Sequence, residues 1–440
     1  MIHANERVHL SDLREHVGRT VSVCGWVNTL RLQRKMQFLV VRDHTAMAQV
    51  THRRGGDGDP VEAALESLST ESAVRITGRV VDNPVVKLGG LEIVPERVEV
   101  LNRAEAPLPT DERSGLEHRM DWRFLDVRIR PAARLLFAVQ TTFEQGMRAY
   151  AYEQGCTEMH TPKLMGTASE SGAEVFKLGY FNSSAYLAQS PQFFKQMAIA
   201  AGVDRVFEIG PVFRAEPSFT SRHATEFTGV DVELAWISDV EDVMRFEEQM
   251  LAHAIALVAE RHGDAIEETF GTELAVPETP FPRITMAEAQ SMLRADGWDP
   301  EGVKEDLDPE GERALAARML KETGHEFVFV THYPTGIRPF YHMRSADDPG
   351  LTLSFDLLWK GLEITTGAQR EHRYDRLIEQ AADKGMGTDP LEDYLNCFRY
   401  GCPPHGGLGM GLARVLMVML GLDSIREATF LFRGPNRLTP

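Results

Sequence analysis

Cysteine is scarce: Cys24, Cys156, Cys397 and Cys402 are scattered through 440 residues and form no C-x-x-C pair. That excludes a disulfide scaffold and the common spacing of a structural zinc site, and leaves buried thiols as the expectation. No apolar run approaches the roughly 20 residues that cross a bilayer, and the start, MIHANERVHLSDL, lacks the basic-then-apolar pattern of a signal peptide. A cytoplasmic protein with no membrane partner is expected. Also missing are G-x-x-x-x-G-K-[ST], G-x-G-x-x-G after a strand, G-x-S-x-G and H-E-x-x-H, so the common nucleotide, hydrolase and zinc-protease sites have no support. No internal repeat or low-complexity tract stands out. What is present is an ordinary globular composition, 43% hydrophobic, 25% charged and 8% aromatic, which rules out collagen-like, coiled-coil and wholly disordered chains. At about 150 residues per domain the length suits two or three domains.

A net charge of -18 argues at first against a polyanionic partner. The charge is unevenly spread: residues 1–105 hold 14 of the 47 Lys and Arg and 14 of the 65 Asp and Glu, so the acidic excess lies after them. Within the neutral segment, Arg31, Arg34, Lys35, Arg42, Arg53 and Arg54 face only Asp43 between residues 28 and 54. Such a cluster suits either a phosphate-facing patch or a solvated strand edge.

Period-two alternation and turn residues predict five strands at about 20–28, 36–43, 46–52, 73–82 and 91–100, with the helical PVEAALESLS between the third and fourth. Five strands suit a small barrel of the OB type, where exposed aromatics beside a basic groove stack bases. Phe38 follows the basic cluster and is read as a stacking ring or a core residue. The stretch 102–130, rich in Pro and charge, reads as a linker. Pro131 then opens a helix with a stripe of Leu135, Leu136, Val139, Phe143 and Met147 that Gly155 ends, and a strand is expected to enter Pro162. A second helix is predicted from 239 to 262, boxed by Ser238 and Glu241 and stopped by Gly263. The acidic stretch 300–325 reads as a solvated helix face without chemical work.

Chemistry-bearing residues gather in two later segments. In VFEIGPVFRAEPSFTSRHATEFTGVDVELAW, two strands at 206–214 and 226–236 are joined by a loop. Alternation sends Asp231 and Glu233 to one face and Val230, Val232 and Leu234 to the other. Arg214, Arg222, His223 and Phe227 are the residue types a nucleotide needs, guanidinium forks for phosphate and a ring for a base. Paired carboxylates there demand a cation between them. In SFDLLWKGLEITTGAQREHR, Asp356 and Glu363 are hard donors suited to Mg²⁺ with phosphates. In PPHGGLGMGLARVLMVML, glycines in a strand-to-helix turn precede Arg414 at a helix start.

Taken in order, GWVNTL, FRAEPSFTSRHATEF, GLGMGLAR and LFRGPNRLTP resemble the class II aminoacyl-tRNA synthetases over nearly the whole chain, and within them the compact archaeal type of aspartyl-tRNA synthetase. The resemblance implies an α+β protein. A five-stranded OB-fold anticodon-binding barrel would occupy 1–104, a hinge 105–130, and a catalytic domain, an antiparallel sheet flanked by helices, 131–440. The helix before Pro162 is similar to motif 1, which would bury its stripe in a homodimer.

The resemblance also implies roles. Arg214 would contact the ATP α-phosphate, Glu216 orient the adenine end, and Arg222 and His223 reach the distal phosphates, with Ala215 and Ala224 beside them. Phe227 would stack on adenine, and Gly411, Leu412, Ala413 and Arg414 would close the other side. Ala413 stands where the family often has an acid, so only its backbone has a role. Glu363, Asp356 and Thr366 would hold Mg²⁺. Ser190, Gln192, Lys195, Arg214, Thr366 and Arg370 would line the aspartate pocket, Lys195 and Arg370 pairing with the β-carboxylate, and Glu170 and Asp231 would take the α-ammonium. Asn28, Arg31, Phe38, Gln49 and Pro84 would read the anticodon.

Only about 170 residues separate motifs 2 and 3, too few for the inserted domain of the long bacterial enzymes. Asn28, where strict enzymes carry an aromatic residue, and Pro84 imply charging of both tRNA(Asp) and tRNA(Asn), with an amidotransferase acting on the second product. A strict tRNA(Asp) enzyme, an asparaginyl-tRNA synthetase and a catalytically inactive tRNA-binding paralogue stay open. Lys195 opposes the asparaginyl reading; Arg214, Glu363, Arg370 and Arg414 oppose the inactive one.

Overall fold

In the N-terminal unit, alternating apolar residues close into a barrel. The structure, a computed structural model, describes residues 7–56, 58–167, 174–298 and 305–440. Strands β1 (Thr20–Leu32), β2 (Met36–Arg42), β3 (Met47–Arg53), β4 (Ala73–Asp82) and β5 (Leu91–Asn102) pair in the order β1-β2-β3-β5-β4. Val23, Val27, Leu39, Val41, Val50, Ile76 and Ile93 point inward and are fully buried. Between β3 and β4, helix α1 (Pro60–Glu66) starts at Asp59, whose carboxylate accepts from the N–H groups of Val61 and Glu62.

Two compact units make up the chain, Met1–Asp111 and Glu112–Pro440. The second opens with α2 (Leu116–Asp121) and α3 (Arg123–Ile129), so the stretch expected to be a linker is helical from residue 116. Ion pairs hold it together with only two buried apolar residues, Met120 and Leu125, too few for a periodicity search to find. Buried Asp126 accepts from Arg119 and Arg123, and Arg123 donates to the carbonyls of Glu427 and Thr429.

The chain continues through α4 (Pro131–Glu153), β6 (Thr157–Glu158), β7 (Leu164–Met165), β8 (Lys177–Tyr180), β9 (Ser183–Leu187), α5 (Gln192–Ala200), β10 (Arg205–Phe213), β11 (Glu226–Ala235) and α6 (Val240–Phe270). It then forms β12 (Arg283–Thr285), α7 (Met286–Ala295), α8 (Pro309–Thr323), β13 (Phe327–Thr331), β14 (Ser354–Trp359), β15 (Leu362–Arg370), α9 (Tyr374–Asp383), α10 (Glu392–Arg399), β16 (His405–Gly411) and α11 (Leu412–Leu420). Pro162 falls between β6 and β7, not in a strand. One eight-stranded sheet runs β12-β13-β14-β15-β16-β11-β10-β6, antiparallel except for the outermost pair at each end. Strands β7, β9 and β8 form a separate small sheet.

The main core lies between one face of the large sheet and helices α4, α6 and α11, with Val230 and Val232 of β11 packed beside Phe143, Leu251 and Leu416. The α4 stripe expected to await a second subunit, Leu136, Val139, Phe143 and Met147, is therefore already buried within its own chain. Helix α6 passes through Gly263 because Ile266 on the next turn is buried, and ends at Gly271 with φ 68°. Its cap is Asp239, whose carboxylate accepts from Glu241 N–H at 2.9 Å; Ser238 instead donates its N–H to Asp242 at 2.7 Å. Among the described residues no helix is long and apolar enough to cross a membrane.

Candidate active site

The sheet face opposite the main core carries a cavity of about 400 Å³. Asp231 from β11, Thr366 and Arg370 from β15, and Gly409 and Gly411 from β16 reach it, with Ser190 and Gln192 at the start of α5. The glycines expected in a turn before α11 lie in β16 itself. At Gly407 a Cβ would collide with the carbonyl of Val232 and the Glu233 carboxylate, so only glycine lets β16 pass this charged face.

Four buried charges hold each other there. Lys195, 3% exposed, donates Nζ to Asp231 Oδ1 at 3.0 Å and to the Leu408 carbonyl at 2.8 Å, and lies 3.3 Å from Glu233 Oε2. A surface lysine is excluded; Lys195 does not itself line the cavity but stands behind Asp231, which does. Arg370 does line it, donating Nε to Glu233 Oε1 at 3.0 Å and Nη2 to the Gly407 carbonyl at 3.0 Å. Burial opposes ionisation of Glu233, yet Arg370 and Lys195 outweigh it and hold the carboxyl below its usual range. The cation demanded between the paired carboxylates is thus Lys195, with Arg370 beside it.

Arg370 also makes a 2.9 Å bond from Nη1 to His342 Nε2. A guanidinium only donates, so Nε2 accepts and Nδ1 carries the ring proton, buried without a partner. Burial, reinforced by Arg370, keeps this imidazole neutral far below its ordinary range.

At the other end, the loop between β10 and β11 brings Arg214, Glu216, Arg222, His223 and Ala224 to the cavity, with Phe227 on β11. Arg214 Cζ stands 5.4 Å from the centre of the Phe227 ring, and Glu216 lies 3.9 Å from Arg214 and 3.8 Å from His223. Burial and then Arg414 push the His223 pKa down. Arg414, in the first turn of α11, donates Nη1 to the Glu363 carbonyl at 3.1 Å and lies 3.5 Å from its carboxylate, which also accepts from Thr366 at 3.0 Å. Burial works against a charged Glu363, but Arg414 and Arg338 lower its pKa; Asp356, buried beside Glu363, is raised. Asp356 Oδ2 accepts from Arg338 Nη2 at 2.6 Å while its Oδ1 is buried unpaired.

Of the expected site residues, Ser190, Gln192, Arg214, Glu216, Arg222, His223, Ala224, Phe227, Asp231, Glu363, Thr366, Arg370, Gly411, Ala413 and Arg414 share this cavity. Lys195, Ala215, Asp356 and Leu412 do not line it, and Glu170 lies outside the described residues. Sequence reading missed Arg338, Tyr341 and His342, which arrive together from the segment before β14. An Arg, a Tyr and a His within TGIRPFYHM were the available signal. It also gave no work to Glu312 of α8, whose carboxylate accepts from Arg222 at 2.9 Å and whose pKa burial and Glu363 push up to about 7.

On the barrel, Arg31 of β1 stands opposite Phe38 of β2, and Phe38 opposite Thr51 of β3. Gln49 shares the outer face, donating to Thr51 Oγ1 at 3.1 Å. Phe38 is half-buried on that face rather than in the core. Asn28 sits at a bulge in the β1–β2 pairing, and Pro84 lies apart in the β4–β5 connection. The basic patch is smaller than the sequence implied, since Arg42 is buried against Glu71 and Arg54 pairs with Glu62 and Glu66. Arg31, Arg34, Lys35 and Arg53 remain exposed.

Residues 115–433 match the family described as tRNA synthetases class II (D, K and N), and residues 21–101 match the OB-fold nucleic acid binding domain. An aspartate-tRNA(Asp/Asn) ligase of Aeropyrum pernix is 43% identical over 429 residues, 96% of each chain. An aspartate-tRNA(Asp) ligase of Thermococcus kodakarensis is 41% identical over 441 residues, covering 99% of this chain and 100% of its own. Among solved structures, the asparaginyl-tRNA synthetase of Pyrococcus horikoshii complexed with asparaginyl-adenylate superposes with a TM-score of 0.91 at 33% identity, covering 100% of both chains.

Proposed function

The chain belongs to the class II tRNA synthetases of the D, K and N group, and on that premise we propose that its cavity activates L-aspartate with ATP and transfers it to tRNA. It is an aminoacyl-tRNA ligase whose relatives include aspartate-tRNA ligases of both the tRNA(Asp) and the tRNA(Asp/Asn) kinds. One observation carries the choice of amino acid: Arg370, a buried guanidinium on the cavity wall, is oriented by Glu233, His342 and the Gly407 carbonyl. A side-chain carboxylate completes that arrangement, whereas the amide of asparagine brings no charge to a buried cation. Lys195 contributes indirectly, neutralising Asp231 and Glu233 so that Arg370 keeps a net attraction for an anion.

In this reading ATP lies between Phe227 and Arg414, its phosphates toward Arg214, Arg222 and His223. The aspartate α-carboxylate attacks the α-phosphorus in line, Arg214 stabilises the developing charge, and pyrophosphate leaves. The terminal ribose hydroxyl of tRNA then attacks the aspartyl-adenylate carbonyl and AMP departs. No protein nucleophile takes part.

The donors around Glu363 fit Mg²⁺. Glu363 stays ionised, Thr366 adds a hydroxyl, and Asp356 holds an unpaired buried oxygen, although its other oxygen is committed to Arg338. Bound there, the ion would neutralise charge on the phosphates.

On the barrel, Phe38, Gln49 and Arg31 supply a ring, an amide and a cation on one face for the anticodon, with Asn28 and Pro84 at its margins. Because neither of these two is bulky, we extend the reading to tRNA(Asn), whose aspartylated form an amidotransferase would correct. A homodimer and a cytoplasmic setting complete the proposal; the dimer contact lies elsewhere than the covered α4 stripe. Aspartate-dependent ATP-pyrophosphate exchange is the test of the amino-acid assignment: signal with aspartate and none with asparagine or lysine supports it, and preference for either of the others overturns it.

A further inference from the structure

The first turn of α8 is the part of the catalytic unit without work in the reading above. Asp308 caps this helix by accepting from Gly311 N–H at 2.7 Å, and Glu312 follows in the first turn, where the helix dipole favours an anion. The Glu312 side chain is only 13% exposed, and its Oε2 accepts from Arg222 Nη1 at 2.9 Å. Arg222 comes from a distant part of the chain, the loop between β10 and β11, whose backbone Arg414 also holds by donating Nε to the Arg222 carbonyl at 3.4 Å. Helix α8 packs through Leu315 and Met319 against Val328, Val330 and Leu358 of the sheet, and it passes close to the turn that leads into Glu363. Gly361 there has φ +81°, and a Cβ on it would stand 2.7 Å from Arg313 Cα.

We infer that Glu312 is a positioning residue for nucleotide binding: it grips one edge of the Arg222 guanidinium and presents the rest of that group to the distal phosphates of ATP. This rests on the reading of the cavity as an ATP site. Arg222 lines the cavity and Glu312 does not, so the carboxylate stands behind the arginine instead of competing for the place a phosphate would take. Arg214, Arg222 and Arg414 crowd one end of the cavity, and an arginine without an anion at its back would swing away from the other cations. Glu363, of like charge, faces Glu312 from β15 and favours its turning to Arg222.

The test is ATP binding to the full chain by calorimetry without aspartate, together with aspartate-dependent ATP-pyrophosphate exchange, in the wild type, E312A, E312Q and, as a control for charge on the same helix turn, E310Q. E312A is expected to raise both the Kd and the KM for ATP about tenfold, the loss of one charge-assisted hydrogen bond, with KM for aspartate unchanged. E312Q, whose amide oxygen still accepts from Nη1 but carries no charge, recovers only part of the loss, and E310Q matches the wild type. Unchanged or tighter ATP binding in E312A overturns the inference, as does a parallel rise of both KM values. If the wild type binds ATP but shows no aspartate-dependent exchange, the aspartate assignment fails while Glu312 is still judged on ATP binding. A wild type that binds no ATP sinks both.

Discussion

Arg370 and Glu233, 3% and 0% exposed, meet through a 3.0 Å bond from Nε to Oε1 behind the cavity wall that Arg370 lines. Isolated, either charge would be costly in so dry a place. Together with Lys195 and Asp231 they make a neutral set of two cations and two anions, and it is the edge of Arg370 turned to the cavity that gives the set its preference for an incoming carboxylate.

Replacing Arg370 with lysine keeps the charge and loses the fork. Three acceptors on three nitrogens cannot be reproduced by a single ammonium, so Arg370→Lys is expected to lower kcat/KM for aspartate by at least ~100-fold. ATP binding should stay near the wild-type value. Exchange kinetics at varied aspartate and varied ATP separate the two; an Arg370→Lys enzyme with wild-type aspartate kinetics would contradict the assigned role.

Glu247 on α6 gives a pH prediction. It is fully buried, neither carboxyl oxygen has a partner of good geometry, and burial, with Glu248 and Asp356 adding to it, pushes its pKa up to about 8 from an ordinary 4.5, against opposing contributions from Thr365 and Arg283. Between those values the folded protein keeps a proton that the unfolded chain has released, so stability falls as pH rises from 4.5 toward 8. The cost reaches about 4 kcal/mol at pH 8. Glu247→Gln, which carries no such proton, should be more stable than wild type at pH 8 by that order, and the gap should close near pH 4.5. Urea unfolding of both proteins across this range checks it; a gap that does not change with pH contradicts it.

On the barrel, Phe38→Ala should separate tRNA recognition from amino-acid activation. Loss of one stacked base costs about 1–3 kcal/mol, or roughly 5- to 150-fold in kcat/KM for tRNA. Aspartate-dependent exchange without tRNA should not change. Equal tRNA kinetics in both proteins would remove Phe38 from the anticodon face.

The sequence was most legible where structure follows local periodicity. The barrel strands alternate cleanly, and Asp231 and Glu233 do face away from Val230 and Val232 on β11. Helix ends were less legible: Gly263 resembled a stop, yet buried Ile266 one turn later outweighs a single glycine's preference. Helices α2 and α3 were hidden because each buries a single apolar residue, Met120 and Leu125, too few to make a stripe, while Arg123 and Asp126 supply the rest of the anchor. At the site, residue types were readable and pairings were not. Nothing in SPQFFKQ tells that Lys195 spends its protons on Asp231 and the Leu408 carbonyl, or that Glu312 in an acidic helix backs Arg222. Those contacts join segments far apart in the chain, and only the fold brings them together.

The central claim is that this chain aspartylates tRNA with relaxed choice of partner, and charging of purified tRNA(Asp) and tRNA(Asn) transcripts with labelled aspartate tests it most directly. Comparable incorporation of aspartate into both, with no incorporation of asparagine, is the predicted result. Aspartate on tRNA(Asp) alone would contradict the relaxed reading of Asn28 and Pro84, and asparagine incorporated in place of aspartate would contradict the role given to Arg370.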